Sequence, residues 1–477
     1  MMKIIFLTLI ALSVSCTCFS QTQTNTYSLV LENASVVNVT TGKIAYKRLI
    51  AISGDTIKAI DDTKKVKQYK ADRYIDLSGK YVMPGLWDMH VHFRGGDGLI
   101  QANKDLLPLF LSYGITTVRE CGGDMTPSVM NWRKQITEGT LAGPRIFTSG
   151  PKIDGPKSTW AGSLEVETPE QVTKALDSLQ KINVDFVKIY ESKISGQTFL
   201  DIITQAENRG LTTSGHMPYS VKLKDAVERG LDASEHLYYI FKACSSKEDS
   251  ITNAIIQSEN TARPIGLFAA LPSIYNTYDA KTADRLFRYL GKRKFSLVPT
   301  LFISKTLNAI KETDHSADKL LPYIDSKLQA TYAGRVNSAK RASDESTAFS
   351  KKYALKASSL IPQMQRRGIN IMAGSDCGAY NSYVYPGESL HEELKLLVAS
   401  GLTPAQALQS ATINGARFMG VNEFYGSLAR GKSSDLIVLD TNPLNNIQAI
   451  DQINMVISNG KAYNRLELDK LLNSIKR

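Results

Sequence analysis

The sequence predicts an α/β protein, in which a (β/α)8 TIM barrel carries a small β-sandwich domain formed by the N- and C-terminal segments. Three observations lead to this prediction. The middle of the chain alternates short apolar strands with helices, which indicates parallel strands joined by crossover helices. Both ends are instead rich in short strands separated by glycines. Histidines follow several of the middle strands, at the end of the barrel where active sites lie.

The size and charge of the chain limit the possible functions. With 477 residues it exceeds the ~250 residues that a barrel needs, so a second domain is expected. The formal net charge of +11 comes from 57 basic and 46 acidic residues, but no basic block is long enough for a nucleic-acid arm. A small-molecule substrate is therefore expected, and no nucleic acid. The oligomeric state stays open, with a homo-oligomer among the possibilities.

The first 20 residues have the features of a signal peptide. Lys3 precedes an apolar run at 4–14, which is too short to span a bilayer, and small residues lead to cleavage after Ser20. Cys16 raises the alternative of a lipid-anchored N-terminus, although the residues before it match a lipoprotein signal poorly. Nothing later in the sequence resembles a transmembrane segment. The mature protein is expected to be exported, to a periplasm or to the medium.

The two β-rich ends are assigned to one domain. Residues 27–82 would form its N-terminal part and residues 421–466 its C-terminal part, with the barrel occupying 83–420. Eight strands are expected in the barrel, in this order: 86–93, 115–119, 145–148, 186–190, 212–216, 233–236, 296–300 and 369–374. Helices are expected between them, with a mostly helical insertion at 247–293.

The first of these strands carries His90 and His92. Because residues i and i+2 of a strand point to the same side, both imidazoles would face one direction, as two ligands of one metal must. Satisfied core histidines are the alternative. Further ligands at strand ends weaken that alternative, since four of the six histidines stand there. These further candidates are Lys188, His216, His236 and Asp376.

Several motifs occur together in this order. They are VMPGLWDMHVH at 82–92, GITTVRE at 114–120, DFVKIY at 185–190, GHMP at 215–218, SEHL at 234–237, AGSD at 373–376, GLTPAQAL at 401–408 and SDLIVLD at 434–440. With them the chain resembles the amidohydrolase superfamily of metal-dependent hydrolases, in the branch of imidazolonepropionase-like and prolidase-like enzymes. The resemblance covers essentially all of the mature chain.

The resemblance implies a site for two divalent metals. His90, His92 and Asp376 would bind one, and His216 and His236 the other. Lys188 would bridge them as an N-carboxylated lysine, because an ammonium has no lone pair for a cation whereas its CO2 adduct offers two oxygens. An ordinary buried and paired lysine is the alternative. Zinc is the default ion for these ligands, while manganese, iron and cobalt stay open.

The resemblance also implies a reaction. A metal-bridging hydroxide would attack an amide carbonyl, with Asp376 as general base and then general acid, in a dipeptide or an N-acyl amino acid. The same site could hydrolyse a cyclic amide, a lactone or an ester, since attack at a carbonyl carbon does not fix the leaving atom. A non-catalytic relative that binds a metal or ligand is a third reading, which the intact set of six ligands disfavours.

Substrate selection is expected from loops around the site. Trp160, Tyr190 and Tyr238 are predicted to wall the pocket. Arg119 could bind a substrate carboxylate, with an ion pair to Glu120 or Asp124 as the alternative. The loop SGPKIDGP at 149–156 lacks the histidine of the Gly-Gly-His loop that many prolidase-like enzymes carry, which puts a dipeptidase assignment in doubt.

Overall fold

The structure, a computed structural model, describes residues 26–259 and 261–477. The predicted signal peptide at 1–20, including Cys16, lies outside the described residues. The described strands form three sheets, one of eight strands and two all-parallel ones of seven and three strands. Within this part of the chain, no helix combines the length and apolar character needed to cross a bilayer.

The eight-stranded sheet unites the two ends of the chain. Its strands are Leu29–Asn38, Lys43–Ser53, Thr56–Asp62, Tyr74–Asp76, Tyr81–Pro84, Leu436–Leu439, Ile453–Ser458 and Lys461–Asn464. The junction is an antiparallel pair in which Val82 faces Val438. Apolar side chains from both ends, Leu31 and Ile457 among them, are buried in one cluster against this sheet. The residues before and after the middle of the chain therefore fold together.

The two parallel sheets contain all eight strands expected in the middle of the chain. The three-stranded sheet has Leu86–Val91, Ile115–Glu120 and Arg145–Thr148. The seven-stranded sheet has Ile153–Asp154, Leu164–Glu165, Val187–Ile189, Thr213–Gly215, Ala233–Glu235, Ser296–Val298 and Asn370–Ile371. The strands Ile153–Asp154 and Leu164–Glu165 were not predicted, and they lie in and after the loop at 149–156.

Backbone hydrogen bonds join the two parallel sheets on both sides. On one side Met89 N donates to Ala373 O over 2.9 Å and Asp376 N donates to His90 O over 2.7 Å. On the other side Asp185 N donates to Thr148 O over 2.9 Å. The middle of the chain is therefore a TIM-barrel-like α/β fold, and its first and last strands lie side by side.

Helices cover the parallel strands. The α-helices are Ile100–Lys104, Leu107–Ser112, Thr126–Thr137, Pro169–Lys181, Gly196–Glu207, Leu223–Glu228, Tyr238–Lys242, Glu248–Ser258, Leu267–Asn276, Ala280–Lys292, Leu301–Ala309, Ser326–Ala330, Ala333–Arg341, Asp344–Ser358, Ile361–Arg366, Glu388–Ala399, Pro404–Ser410, Ile413–Phe418 and Arg465–Asn473. Short 3-10 helices span Thr63–Gln68, Asp97–Leu99, Leu321–Tyr323 and Ile447–Asp451.

Pro169–Lys181 shows why these segments are helical. The side chain of Thr168 accepts a hydrogen bond from Gln171 N, and the Gln171 side chain accepts one from Thr168 N. Pro169 fits the first turn because its missing N–H would have no partner there. Val172, Leu176 and Leu179 then fall on one face and are buried. The cap and the apolar face were both readable from the sequence.

Candidate metal centre

Four imidazoles, two buried and two partly buried, converge where the parallel strands end. His90 lies on Leu86–Val91 and His92 just after it, and their Nε2 atoms are 3.2 Å apart. His216 and His236 follow the strands Thr213–Gly215 and Ala233–Glu235, and their Nε2 atoms are 2.8 Å apart. Asp376 connects the pairs, with Oδ1 3.2 Å from His92 Nε2 and Oδ2 4.0 Å from His236 Nε2.

Burial keeps the imidazoles of His90, His92 and His236 neutral. It lowers the pKa of His92 and that of His236 to about 3, and it also lowers the pKa of His90. A neutral imidazole carries one proton on one nitrogen and a lone pair on the other. The site is therefore rich in lone pairs at neutral pH, as a metal site must be.

The contacts of the Nδ1 atoms indicate which way the Nε2 lone pairs point. His92 Nδ1 is 3.0 Å from Gly122 O, a group that can only accept a hydrogen bond. His216 Nδ1 is 2.8 Å from the Glu191 carboxylate. Both contacts favour a proton on Nδ1, which leaves the Nε2 lone pair directed at the cluster. Lone pairs that face each other at hydrogen-bonding distance repel unless a cation lies between them, so these residues fit divalent metals.

The backbone at the ligands is strained. His236 and Asp376 have φ of 76° and 57°, and Thr300, whose Oγ1 is 2.6 Å from His236 Nδ1, has φ of 48°. Left-handed backbone is unfavourable for residues with a Cβ and occurs mostly where surrounding structure enforces it. Asn381 helps to enforce it, because its Nδ2 donates to Asp376 Oδ1 over 2.9 Å. Strain concentrated at three such positions is typical of a functional site.

A buried ionic group lies beneath the imidazoles. Glu235 accepts a hydrogen bond from Arg119 Nη2 over 3.0 Å, and Lys188 Nζ is 2.8 Å from its other oxygen. Ser214 Oγ also donates to Glu235. Burial would raise the pKa of Glu235, but Lys188 and Arg119 lower it to about 2. The angles at Lys188 Nζ do not suit a hydrogen bond, and no other partner satisfies it among the described residues.

Asp88, to which no role was assigned from the sequence, joins the first strand to the segment that carries Asp376. Its carboxylate accepts Ser375 N over 2.9 Å, Ser375 Oγ over 2.5 Å and His90 N over 3.2 Å. Burial is the main reason that the pKa of Asp88 is raised to about 7. Because one carboxylate holds the backbone of both His90 and Ser375, it fixes two ligand-bearing segments relative to each other.

A cavity of about 680 Å³ opens from the cluster. Trp160, Tyr190 and Tyr238 line it, where the sequence had suggested a pocket wall. Arg94 also lines it but was not predicted, although it lies two residues beyond His92. Its guanidinium carbon is 4.1 Å from the centre of the Trp160 ring.

Arg119 lies elsewhere than expected for a residue that contacts substrate. Its side chain is completely buried and is not part of the cavity wall. Its ion-pair partner is Glu235, rather than Glu120 or Asp124, and its Nε donates to Met89 O over 2.7 Å. Arg119 instead contacts Met89, Ser214 and Glu235, each of which precedes one of the clustered histidines by one or two residues. Its contacts are those of a residue that supports the site from beneath.

Comparison with known proteins agrees with this geometry. The model of the amidohydrolase family matches residues 81–463. The chain belongs to this family. The resemblance inferred from the motifs is thereby confirmed, and the protein is a hydrolase of a family whose named members act on carbon–nitrogen bonds. Divalent metals are general in this family, and His90, His236 and Asp376 form a group able to hold one.

Three relatives illustrate the range of similarity. Imidazolonepropionase of Fusobacterium nucleatum is 23% identical over 403 residues, which cover 82% of this chain and 84% of that enzyme. An adenine deaminase of Clostridium acetobutylicum is 41% identical, but only over 91 residues, 19% of this chain and 14% of the deaminase. The crystal structure of a Xaa-Pro dipeptidase with methionine bound in its active site is 20% identical, with a TM-score of 0.65, over 91% of this chain and 99% of that one. At this identity the structural match supports the fold alone.

The structure predicts that Arg119 stabilises the fold and does not bind substrate. Replacing Arg119 by Met breaks its buried ion pair with Glu235 and removes the donor to Met89 O, so Arg119→Met should lower the free energy of unfolding by about 3–5 kcal/mol. Denaturant unfolding of wild type and variant measures this loss. Arg465→Met, which breaks an exposed ion pair with Asp469, is the control and should cost at most about 1 kcal/mol. An Arg119→Met protein with unchanged stability and a raised KM would restore the substrate-binding interpretation.

Proposed function

We propose that this protein is a binuclear metal-dependent amidohydrolase that cleaves an amide-type C–N bond in a dipeptide or an N-acyl amino acid. The observation that carries the proposal is the convergence of two pairs of Nε2 atoms on Asp376. His90, His92 and Asp376 would hold one metal, and His216 and His236 the second. When bound, two divalent ions, zinc by preference, supply Lewis-acid polarisation of the scissile carbonyl and a water of lowered pKa.

Asp376 has the position of a proton carrier. Its carboxylate lies between the two imidazole pairs and faces the cavity, so it is close to any carbonyl bound there. Asn381 holds one carboxylate oxygen by a hydrogen bond of 2.9 Å, which fixes the orientation of the other. Asp376 would take a proton from the attacking water and return it to the leaving nitrogen. The amide is thereby replaced by a carboxylic acid and an amine.

We also propose that Lys188 is N-carboxylated when the metals are bound. If Lys188 is unmodified, two cations, Lys188 and Arg119, contact the single carboxylate of Glu235. Its buried Nζ also lacks a hydrogen bond of suitable geometry in residues 26–259 and 261–477. Carboxylation would convert this cation into an anion beside the metals, while Arg119 keeps Glu235 as its partner. The ion pair between Lys188 and Glu235 would then belong to the unmodified protein.

Two buried cations in the cavity region indicate that the substrate is an anion. Arg94 is 5% exposed and lines the cavity, and among the described residues the one hydrogen bond of its guanidinium group runs from Nε to Ala379 O, over 2.9 Å. Lys152 is 2% exposed and is not itself part of the cavity wall, but its Nζ is 5.2 Å from the centre of the Trp160 ring, which is. Burial lowers the pKa of Lys152 to about 7. Neither cation has a carboxylate partner in the described parts of the chain, and a substrate carboxylate would provide one.

Three wider proposals complete this picture. We propose that the parallel strands close into a (β/α)8 barrel, which the hydrogen bonds between the sheets on both sides support. We propose that the eight-stranded sheet is a small β-sandwich, because apolar side chains from both ends of the chain share one buried cluster. Export, to a periplasm or to the medium, is proposed from the N-terminal apolar run alone.

Turnover of a substrate panel tests the reaction. Protein reconstituted with Zn²⁺ should bind about two metals per chain and hydrolyse dipeptides or N-acyl amino acids in preference to cyclic amides, lactones and esters. A chelator should abolish the activity. Asp376→Asn should lower kcat by at least about 100-fold, the usual contribution of general acid–base catalysis. The exposed Asp440→Asn, which breaks an ion pair with Lys80, is the control and should keep full activity. A chain that binds no metal and cleaves none of the panel contradicts the proposal.

Carboxylation of Lys188 has a readout independent of activity. Metal-loaded protein equilibrated with 13C-bicarbonate should show one carbamate carbon resonance, and Lys188→Gln should lack it. Lys152→Gln removes another buried lysine of the site and should retain the resonance. Absence of the resonance from the loaded wild type would leave Lys188 as an ordinary ion-paired lysine.

The role of Arg94 can be separated from general damage to the site. Arg94→Met should raise KM for a substrate with a free carboxylate by about 10- to 100-fold, the loss expected for a charge-assisted hydrogen bond. KM for the same substrate with its carboxylate amidated should change little. The exposed Arg285→Met, on the helix Ala280–Lys292, should affect neither. Equal losses on both substrates would show that Arg94 does not recognise the carboxylate.

A further inference from the structure

The cavity has a second side that differs in chemistry from the Arg94 side. We call this side the apolar limb; it is lined by Leu267, Leu301, Ile303, Leu307, Ala354 and Ala357. These residues come from the helices Leu267–Asn276, Leu301–Ala309 and Asp344–Ser358. None of the six can form an ion pair or a side-chain hydrogen bond with a ligand. The same helices also bring Ser304, Asn308 and Ser358 to the cavity wall, so apolar contact is the main but not the sole contact that this side offers a bound group.

Aromatic side chains extend the apolar limb towards the cluster. Tyr238, two residues after the ligand His236, stacks on Tyr353 with ring centres 5.6 Å apart and planes 2° from parallel. Phe268 packs edge-on against Tyr238, with centres 6.2 Å apart. Both tyrosines and Phe268 belong to the cavity wall. Ring contacts thus connect Tyr238, close to His236 in the chain, with Phe268 in the cavity wall.

The mouth of the apolar limb is also apolar. Phe268 is 69% exposed and Leu355 is 74% exposed, and both line the cavity. Large apolar side chains left in water at the entrance of a cavity are typical of sites for apolar ligands. The basic residues nearby do not change this conclusion, since Arg335 and Lys305 are exposed to solvent and Lys351 is paired with Glu312 over 2.6 Å.

The apolar limb and the buried cations lie on different sides of the metal ligands. Arg94 and Lys152 follow the strands Leu86–Val91 and Arg145–Thr148, whereas the limb follows Ala233–Glu235 and Ser296–Val298. Val187–Ile189 and Thr213–Gly215 lie between Lys152 and Ala233–Glu235, while Asn370–Ile371 lies between Ser296–Val298 and the strand that precedes Arg94. A substrate with its carbonyl at the cluster can therefore place its carboxylate at Arg94 and its other end in the limb.

We propose that the apolar limb binds the acyl chain of an N-acyl amino acid, so that the enzyme prefers medium- and long-chain acyl groups to acetyl. This inference rests on the proposed function and names its substrate class. A dipeptide would place an α-ammonium on this side, but no residue of the limb is acidic. A cavity of about 680 Å³ also far exceeds the needs of an acetylated amino acid and lies in the range that encloses drug-sized ligands.

Binding of simple fatty acids tests the limb without turnover. Acetate, octanoate and dodecanoate are acyl products of the proposed reaction, and their affinity for Zn²⁺-loaded protein can be measured by calorimetry below their micellar concentrations. Each buried methylene should tighten binding by up to about fourfold, and octanoate should bind at least about tenfold more tightly than acetate. Equal affinities for the three acids in the wild type would overturn the assignment.

Two tryptophan variants of one helix locate the bound chain. Ala354→Trp fills the apolar limb and should remove the advantage of the longer acids while acetate binding stays unchanged. Ala348→Trp, on an exposed position of the same helix outside the cavity, should keep that advantage. If Ala354→Trp still binds the longer acids more tightly than acetate, the acyl chain binds elsewhere and the proposal is refuted. Circular dichroism of both variants verifies that they fold.

Turnover separates the failure of this inference from that of the proposed function. N-acetyl, N-octanoyl and N-dodecanoyl forms of the best-cleaved amino acid of the panel should show kcat/KM that rises with chain length. Hydrolysis with no dependence on chain length would overturn the acyl-chain assignment and leave the proposed reaction intact. Chain-length-dependent binding without hydrolysis of any N-acyl substrate would refute the reaction, and with it the assignment of the bound chain to a substrate.

Discussion

At the ends of the parallel strands, the Nε2 lone pairs of four histidines face one another and repel. The rest of the structure has to hold these side chains together against that repulsion. Each Nε2 pair lies within hydrogen-bonding distance, and burial makes protonation of His90, His92 and His236 costly. Contacts of His92 and His216 through Nδ1 favour the tautomer that turns the lone pair inward. Such an arrangement becomes favourable when cations occupy the centre. Much of the surrounding structure can be understood as the scaffold that holds these rings in place.

Two buried carboxylates contribute to that scaffold in different ways. Glu235 pairs with both Lys188 and Arg119 below the imidazoles, so it offsets part of their positive charge there. Asp88 instead binds backbone and hydroxyl donors of the first strand and of Ser375, so it sets distances. Burial of these groups without partners would be costly, and their hydrogen bonds repay most of that cost. The left-handed backbone of Asp376 persists because such neighbours leave it little freedom.

The sequence predicted what depends on strand periodicity. Parity placed His90 and His92 on one side of their strand, and the order of motifs located His216, His236 and Asp376. A sequence does not show how deep a side chain lies in the fold, and Arg119, considered for substrate binding, is buried in an ion pair with Glu235. Arg94 follows the end of its strand, where the period of two no longer specifies direction, so no pattern identified it.

Other features could not be read from local patterns at all. The pairing of Val82 with Val438 connects residues far apart in the chain. The sequence indicated only that both ends are rich in short strands. The apolar limb is built from helices whose inner faces look in sequence like ordinary core. An apolar helix face can pack against a neighbour or line a cavity. Which of the two occurs depends on how several helices are arranged, and the sequence pattern of one helix does not show this.

The two sides of the cavity imply two kinds of selectivity. A buried, unpaired Arg94 should discriminate strongly, because a neutral ligand leaves its charge without a partner in a desolvated place. The apolar limb should discriminate weakly and by degrees, since each methylene adds only a small increment and a shorter chain simply leaves space or water behind. An enzyme built this way would require an anionic group on its substrate but accept a range of apolar acyl groups. The enzyme would then be selective for the carboxylate end of the substrate and tolerant of different acyl ends. Both properties follow from the charge on one side of the candidate metal ligands and its absence from the other.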